Sequence, residues 1–310
     1  MDILPCPGDP APFASLALQQ HPHYLRTVQR MGRSGQALVV RHHGQIIARV
    51  QVIRRQIGPV HVNWIGRGPV WSSEIDQSLK TQALRALNRH LPGAALTLAL
   101  PDSPRDLSVY RPLRFRPVMT PHYLAELDLE AREADRLAAQ HCKWRNRLRH
   151  SQSQNLTVTD GPFQPERDTD LLAREAIQRK SRGYRALPLS FVGQWAHANP
   201  KHTRVFRASG AGGLQAFMVV LLHHPGATYH IGWSNSAGRA NSAHNLLFWR
   251  ASNWLAQRRY KRFDLGVVDT ENAPGLARFK LGAGATSRSL GPTLLHFAQP
   301  RLFRHKSRVA

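Results

Sequence analysis

The residues best suited to chemistry here are arginines set beside helical stretches, and one glycine turn. Arg182 and Arg185, with Tyr184 between them, follow a helical pattern. A forked guanidinium suits phosphate oxygens, and a solvated structural role fits the same residues. Arg145 and Arg149 stand at i and i+4, so they leave one side of a helix. They could track an RNA backbone, or simply form a charged outer face. Gly238-Arg239-Ala240 lies just before a helical run that starts near Ser242. Such a turn can offer backbone N–H groups to a pyrophosphate.

Several chemistries are excluded by missing patterns. The sequence has no GxxxxGK[ST] loop, no GxGxxG after a strand, no GxSxG elbow and no HExxH. Only Cys6 and Cys142 are present, without CxxC spacing, so neither a disulfide framework nor a cysteine zinc site is expected. The 17 histidines include His42-His43 and His223-His224, which read as surface residues at strand ends. No metal is expected.

The elements that must position these residues alternate between strand and helix. Strands read over 37–41 and 46–55, hinged at His43-Gly44, and again where Val60, Val62 and Trp64 alternate with polar residues. A helix over 78–90 carries Leu79, Ala83, Leu84 and Leu87 on one stripe, and Leu96, Leu98 and Leu100 follow as a strand. The second half repeats the order. A long amphipathic helix is expected over 130–151 and another over 168–181. A hairpin over 214–223 and 228–233 turns at Pro225-Gly226. A helix over 242–257 and a short buried strand over 263–268 complete it. Residues 1–12 read as an irregular lead-in and 302–310 as a basic, frayed tail. With 310 residues, two α/β lobes of about 150 each are expected, cut as 1–127 and 128–310.

Charge narrows the partners. There are 43 Lys and Arg against 19 Asp and Glu, a formal net charge of +24. Such a field attracts tRNA, DNA, nucleotide diphosphates or an anionic membrane face, while free use of Arg across the chain explains part of it. Arg26 is the first basic residue and no apolar run precedes it; the longest apolar run, 214–222, is too short to span a bilayer. A soluble, cytoplasmic protein is expected, with peripheral contact to an anionic membrane as an option.

The order of motifs resembles Fem-type proteins, the aminoacyl-tRNA-dependent transferases that extend peptidoglycan precursors. The likeness rests on Tyr229-His-Ile-Gly-Trp-Ser234, a helix with Leu246, Trp249 and Trp254, then Tyr260-Lys-Arg-Phe-Asp-Leu-Gly266 and Gly275-Leu-Ala-Arg-Phe-Lys280. Trp144-Arg-Asn-Arg-Leu-Arg149 is similar to the family's Arg- and Asn-bearing helix that opens the second lobe. Arg67-Gly-Pro69 is similar to the Gly-Pro turn of the first, and Leu113-Arg-Phe115 with Pro117 and Thr120 to the stretch between them. The resemblance implies two GNAT-like domains of mixed α/β fold with a cleft between them, without the long coiled-coil arm of some members.

It also implies roles. Phe279-Lys280 matches a Phe-Lys pair near the transfer centre. A fixed cation there stabilises the oxyanion that forms under amine attack, worth about 3–4 kcal/mol for one good donor, or holds a terminal tRNA phosphate. An aminoacyl ester is already activated, so alignment and loss of a proton suffice. Asp264 or Asp269 could take that proton if burial raises its pKa; otherwise each ends a strand or caps a turn. Arg182, Tyr184, Arg185 and Arg67 are expected at the acceptor's phosphates, and Arg145, Arg149, Gly238, Arg239 and Ala240 at the donor. CoA-dependent GNAT enzymes place Arg or Gln three positions before the turn glycine, where this chain has Asn235. No tightly bound cofactor is expected. The donor is charged tRNA and the acceptor an amine such as a nucleotide- or lipid-linked muropeptide. An acyl-CoA-dependent N-acyltransferase on a small metabolite or peptide is the alternative, and a non-enzymatic nucleic-acid binder a third reading.

Overall fold

The computed structural model describes residues 1–6, 17–72, 75–91, 96–183 and 187–297. The tail over 302–310, and 7–12 of the expected lead-in, lie outside them. Fifteen strands run through the described residues. They are β1 (Asp2–Pro5), β2 (Gly35–His42), β3 (Gln45–Ile57), β4 (Val60–Gly66), β5 (Val70–Trp71), β6 (Leu96–Leu100), β7 (Arg116–Met119), β8 (Tyr123–Asp128), β9 (Thr157–Pro162), β10 (Thr203–Gly210), β11 (Gly213–His223), β12 (Gly226–Ser234), β13 (Arg262–Val267), β14 (Thr286–Ser289) and β15 (Thr293–Phe297). The α-helices among them are α1 (Pro22–Arg30), α2 (Gln77–His90), α3 (Leu107–Tyr110), α4 (Glu133–Ala138), α5 (Cys142–Ser153), α6 (Thr169–Arg182), α7 (Ser190–Ala198), α8 (Ser236–Ala240), α9 (Ala243–Gln257) and α10 (Pro274–Gly282).

The contacts divide the chain into two units. One holds Met1–Gly8, Arg33–Pro121 and Gly291–Ala310; the other holds Asp9–Gly32 and His122–Leu290. This differs from a single cut at 127/128, because pairing partners decide where a strand belongs. Strand β15 returns to the first sheet and bonds β6 and β7. Strand β1 is no irregular lead-in: all four of its residues pair with β2.

The first unit orders its sheet β1-β2-β3-β4-β6-β15-β7, with β5 on β3. Its core gathers Leu38, Val50, Val52 and Ile65 from the strands with Leu84, Leu87, Val109 and Tyr110 from the helical segments. Of the expected stripe, Ala83, Leu84 and Leu87 face inward and Leu79 is half-buried. Asp76 caps α2 by accepting from the Leu79 N–H at 2.7 Å.

The second unit orders its sheet β14-β8-β13-β12-β11-β10-β9. Strand β11 is buried from Gln215 to His223, as a central strand covered on both faces must be. Helix α9 lies against it and buries most of its length, including Leu247, Phe248, Ala251 and Leu255. The expected hairpin is present as β11–β12. The expected long helix is broken into α4 and α5. His141 accepts the Lys143 N–H through Nδ1 and gives its own N–H to the Gly282 carbonyl, so it caps a new helix instead of continuing the old one.

Both units repeat one order: three antiparallel strands, a helix, then a strand parallel to the third. In the first unit β4 and β6 stay paired from Val62↔Leu96 to Gly66↔Leu100. In the second, β12 and β13 pair only from Gly226↔Arg262 to Thr228↔Asp264, although β12 continues to Ser234. The floor beneath that parting is aromatic, with Phe248 against Trp144, Phe263 and Phe279 at 5.6–5.7 Å between ring centroids. Phe248→Ala should cost about 3–5 kcal/mol through the cavity it leaves, read by urea unfolding.

Candidate active site

The parting of β12 and β13 has a cause on each strand. On β12, Val219 faces Ile231 while Val220 faces Tyr229, so His230 is an extra residue that bulges out of the ladder. On β13, the Asp264 carboxylate accepts the Gly266 N–H at 2.8 Å, and Gly266 turns the chain with φ +77°. The pairing of β13 with β8 breaks at the same place. Residues that would close a ladder instead open a gap.

Lys280 reaches one side of this gap. It sits on α10, only 5% exposed, and donates to the Val267 carbonyl at 2.7 Å. Burial lowers its pKa to about 8, and the Asp264 charge offsets part of that shift. Phe279 points the other way, its ring on His244 (5.4 Å), Phe248 and Trp144, while its carbonyl accepts from the Trp144 indole at 3.1 Å. The expected Phe-Lys pair therefore sits on a helix, where consecutive residues diverge by about 100°. Phe279 anchors α10 to the core and Lys280 faces β13.

The two candidate carboxylates have structural duties. Asp264 is buried and holds the turn at Gly266. Asp269 accepts from the backbone N–H groups of Asn272 and Glu271 and from the Asn272 side chain. The hydrogen bonds from Asn272 hold its pKa below the usual carboxylate value. Asp269 is a turn cap.

The arginines separate in the same way. Arg182 ends α6, exposed, and its charge is felt at His244. Tyr184 and Arg185 lie outside the described residues. Arg67, in the first unit, is 4% exposed and donates to Asp102 at 2.6 Å, so its guanidinium serves an ion pair there. Arg145 donates to the carbonyls of Ala138 and Gln140, closing the end of α4 instead of tracking a ligand. Arg149 is exposed on α5.

The expected pyrophosphate turn is closed on itself. Gly238 gives its N–H to the Asn235 side chain at 2.8 Å, Arg239 gives its N–H to the Asn235 carbonyl, and the Arg239 side chain donates to the Ser234 carbonyl. The Ala240 carbonyl meets His150. Gly238 is required by close packing, since a Cβ there would strike the Gln215 carbonyl. Asn235, in the place where Arg or Gln was sought, is the cap that closes the turn.

Two residues at the gap were not expected as site residues. Tyr229, the first β12 residue beyond the β13 pairing, meets His244 in the first turn of α9, Oη to Nε2 at 3.0 Å. Tyr229 lies inside the quoted Tyr-His-Ile-Gly-Trp-Ser stretch. His244, 15 positions further on, is marked only by standing near a helix start. Among the described residues, no three or more His, Cys, Asp or Glu converge as metal ligands, and no helix is long and apolar enough to cross a membrane.

Comparison with known proteins defines the class. Residues 142–281 match the acetyltransferase (GNAT) domain, which spans α5 to α10 and thus the whole gap. No curated protein matches the chain in sequence. Among solved structures, the chain is similar to FemX, with TM-score 0.77 and 13% identity over 91% of this chain and 92% of that one. It is also similar to a tandem GNAT protein from the clavulanic acid biosynthesis pathway (TM-score 0.53, 13% identity, 86% and 84% covered). L-PGS from Bacillus licheniformis is a third likeness (TM-score 0.51, 12% identity, 93% and 94% covered). The chain has the Fem-like tandem GNAT fold, and the acetyltransferase domain matched at 142–281 indicates a transferase.

The state of Lys280 has a measurable consequence. Its folded pKa lies near 8, below the 10.5 of a free lysine. Between those values the unfolded chain binds more protons, so stability rises with pH across the window. The melting temperature should rise from pH 8 towards pH 10 relative to Lys280→Met, which lacks the titrating group. Equal pH dependence in both proteins would contradict the burial of the ammonium.

Proposed function

We propose that this protein transfers an aminoacyl group from a charged tRNA to an amine acceptor, such as the amine of a peptidoglycan precursor. The observation that carries the choice of donor is the closed turn over 235–242. An acyl-CoA enzyme needs open backbone N–H groups there for the pyrophosphate, and this chain has bound those of Gly238 and Arg239 to Asn235 and those of Asn241 and Ser242 to the Ala237 and Arg239 carbonyls. A donor ending in a single terminal nucleotide does not need that cradle. The net charge of +24 supports a polyanionic donor, and the fold shared with FemX agrees with the same reading.

Lys280 is the electrostatic centre of the reaction. An ammonium has three donors, and Val267 takes one. The buried charge, aimed into the gap, stabilises the oxyanion as the amine attacks the ester carbonyl, and low local polarity strengthens it. The cation is the working form, so transfer should fall as pH rises through about 8. Among the described acceptor candidates, Arg182 is the exposed one placed to meet acceptor phosphate, since Arg67 is engaged with Asp102.

Lys280→Met should lower kcat about 10²- to 10³-fold without unfolding the protein, in an assay of labelled aminoacyl-tRNA with a muropeptide nucleotide. Arg182→Ala should raise the acceptor KM and leave kcat near the wild-type value. A Lys280→Met protein that transfers at the wild-type rate would remove Lys280 from the reaction.

A further inference from the structure

We infer that Tyr229 and His244 are the proton-handling pair of this transfer, the Tyr229 hydroxyl touching the acceptor amine and His244 standing behind it as the positioning residue. This rests on the acyl-transfer reading above, and holds for either donor.

The carboxylates that might have taken the amine proton are committed to turns at Gly266 and Asn272. Tyr229 and His244 stand where those carboxylates do not. Tyr229 is the first residue of β12 freed from β13, and its Oη lies 3.0 Å from His244 Nε2. Both are half-buried. Phe279, next to Lys280 on α10, packs on His244 at 5.4 Å between ring centroids.

The space for the pair is built. An ideal Cβ at Gly232 would run into both the Tyr229 hydroxyl and the His244 ring. Gln178 of α6 holds that glycine by donating to its carbonyl at 2.9 Å. Burial, and then the Arg182 charge, push the His244 pKa down to about 4, so the imidazole is neutral in working conditions. A neutral ring protonated at Nδ1 can take the tyrosine proton at Nε2 in passing, and its low pKa then favours return of that proton to the leaving atom.

The step balances without any further reactant. The amine nitrogen attacks the acyl carbon and the N–C bond forms. The amine proton passes to Tyr229 Oη as the hydroxyl proton moves to His244 Nε2. When the C–O bond of the ester, or the C–S bond of a thioester, breaks, a proton returns along the same path to the leaving atom. The acceptor loses one proton, the leaving group gains one, and the pair ends as it began.

The test compares wild type, Tyr229→Phe, His244→Gln and Gly232→Ala with both labelled aminoacyl-tRNA and acetyl-CoA as donors. Tyr229→Phe keeps the ring and removes the relay, so kcat should fall about 10²-fold or more, with both KM values and the melting temperature held. His244→Gln keeps a hydrogen-bonding side chain but cannot take the proton, and should fall similarly. Gly232→Ala keeps both groups and forces them apart, which tests the pair should either other variant fail to fold. A kcat within about twofold of wild type in the folded variants overturns the pair. Failure of the wild type to transfer from either donor overturns the reading beneath it.

Discussion

The short pairing of β12 with β13 is the constraint on which the site depends. Two parallel strands joined by a helix normally stay paired, as β4 and β6 do in the first unit. Here the ladder ends at Thr228↔Asp264 because His230 bulges from one strand and Gly266 turns the other away. The freed backbone lies over an aromatic floor that fixes both α9 and α10. Tyr229 then lies on one arm of that opening, Val267 and Lys280 on the other, and His244 at the helix start.

Within this frame, charge is used sparingly despite its abundance. Arg67, Arg145 and Arg239 neutralise a carboxylate or backbone carbonyls. Glu126 ties β8 to β13 and β14 through Arg262 and Arg288, each at 2.7–2.8 Å. A buried ammonium is costly unless partnered, and among the described residues Lys280 has the Val267 carbonyl and the nearby Asp264 charge. Such incomplete compensation is uncommon in a structural residue and suits one that acts on charge formed during a reaction.

Much of the fold was legible in the residues. The alternation at 60–64, the leucine stripe of α2, the β11–β12 hairpin and the buried α9 all follow from period and turn chemistry. The break at His141 was not, because an apolar stripe through Leu137, Trp144 and Leu148 continues across it while a backbone bond to Gly282 interrupts it. Strand β15 could not be assigned to the first sheet from 293–297 alone, since its partners lie nearly 200 residues earlier. Lys280 was marked by its Phe-Lys pattern. Tyr229 and His244 were not marked as a pair, because a bulge and a strand parting, rather than a spacing, bring them together. Asp269 and the Gly238 turn looked functional for the opposite reason. The residues that cap a turn are those that also suit a site, and only their hydrogen bonds tell the two apart.

The most direct measurement is a crystal structure with an amide-linked aminoacyl-adenosine, a stable mimic of the charged tRNA terminus. The expected result places the acyl carbonyl in the gap between β12 and β13, its oxygen towards Lys280 Nζ and its carbon within reach of an amine held at Tyr229. Density for the mimic in the first unit, or against the closed turn at Gly238, with the gap unoccupied, would contradict that placement of the transfer centre.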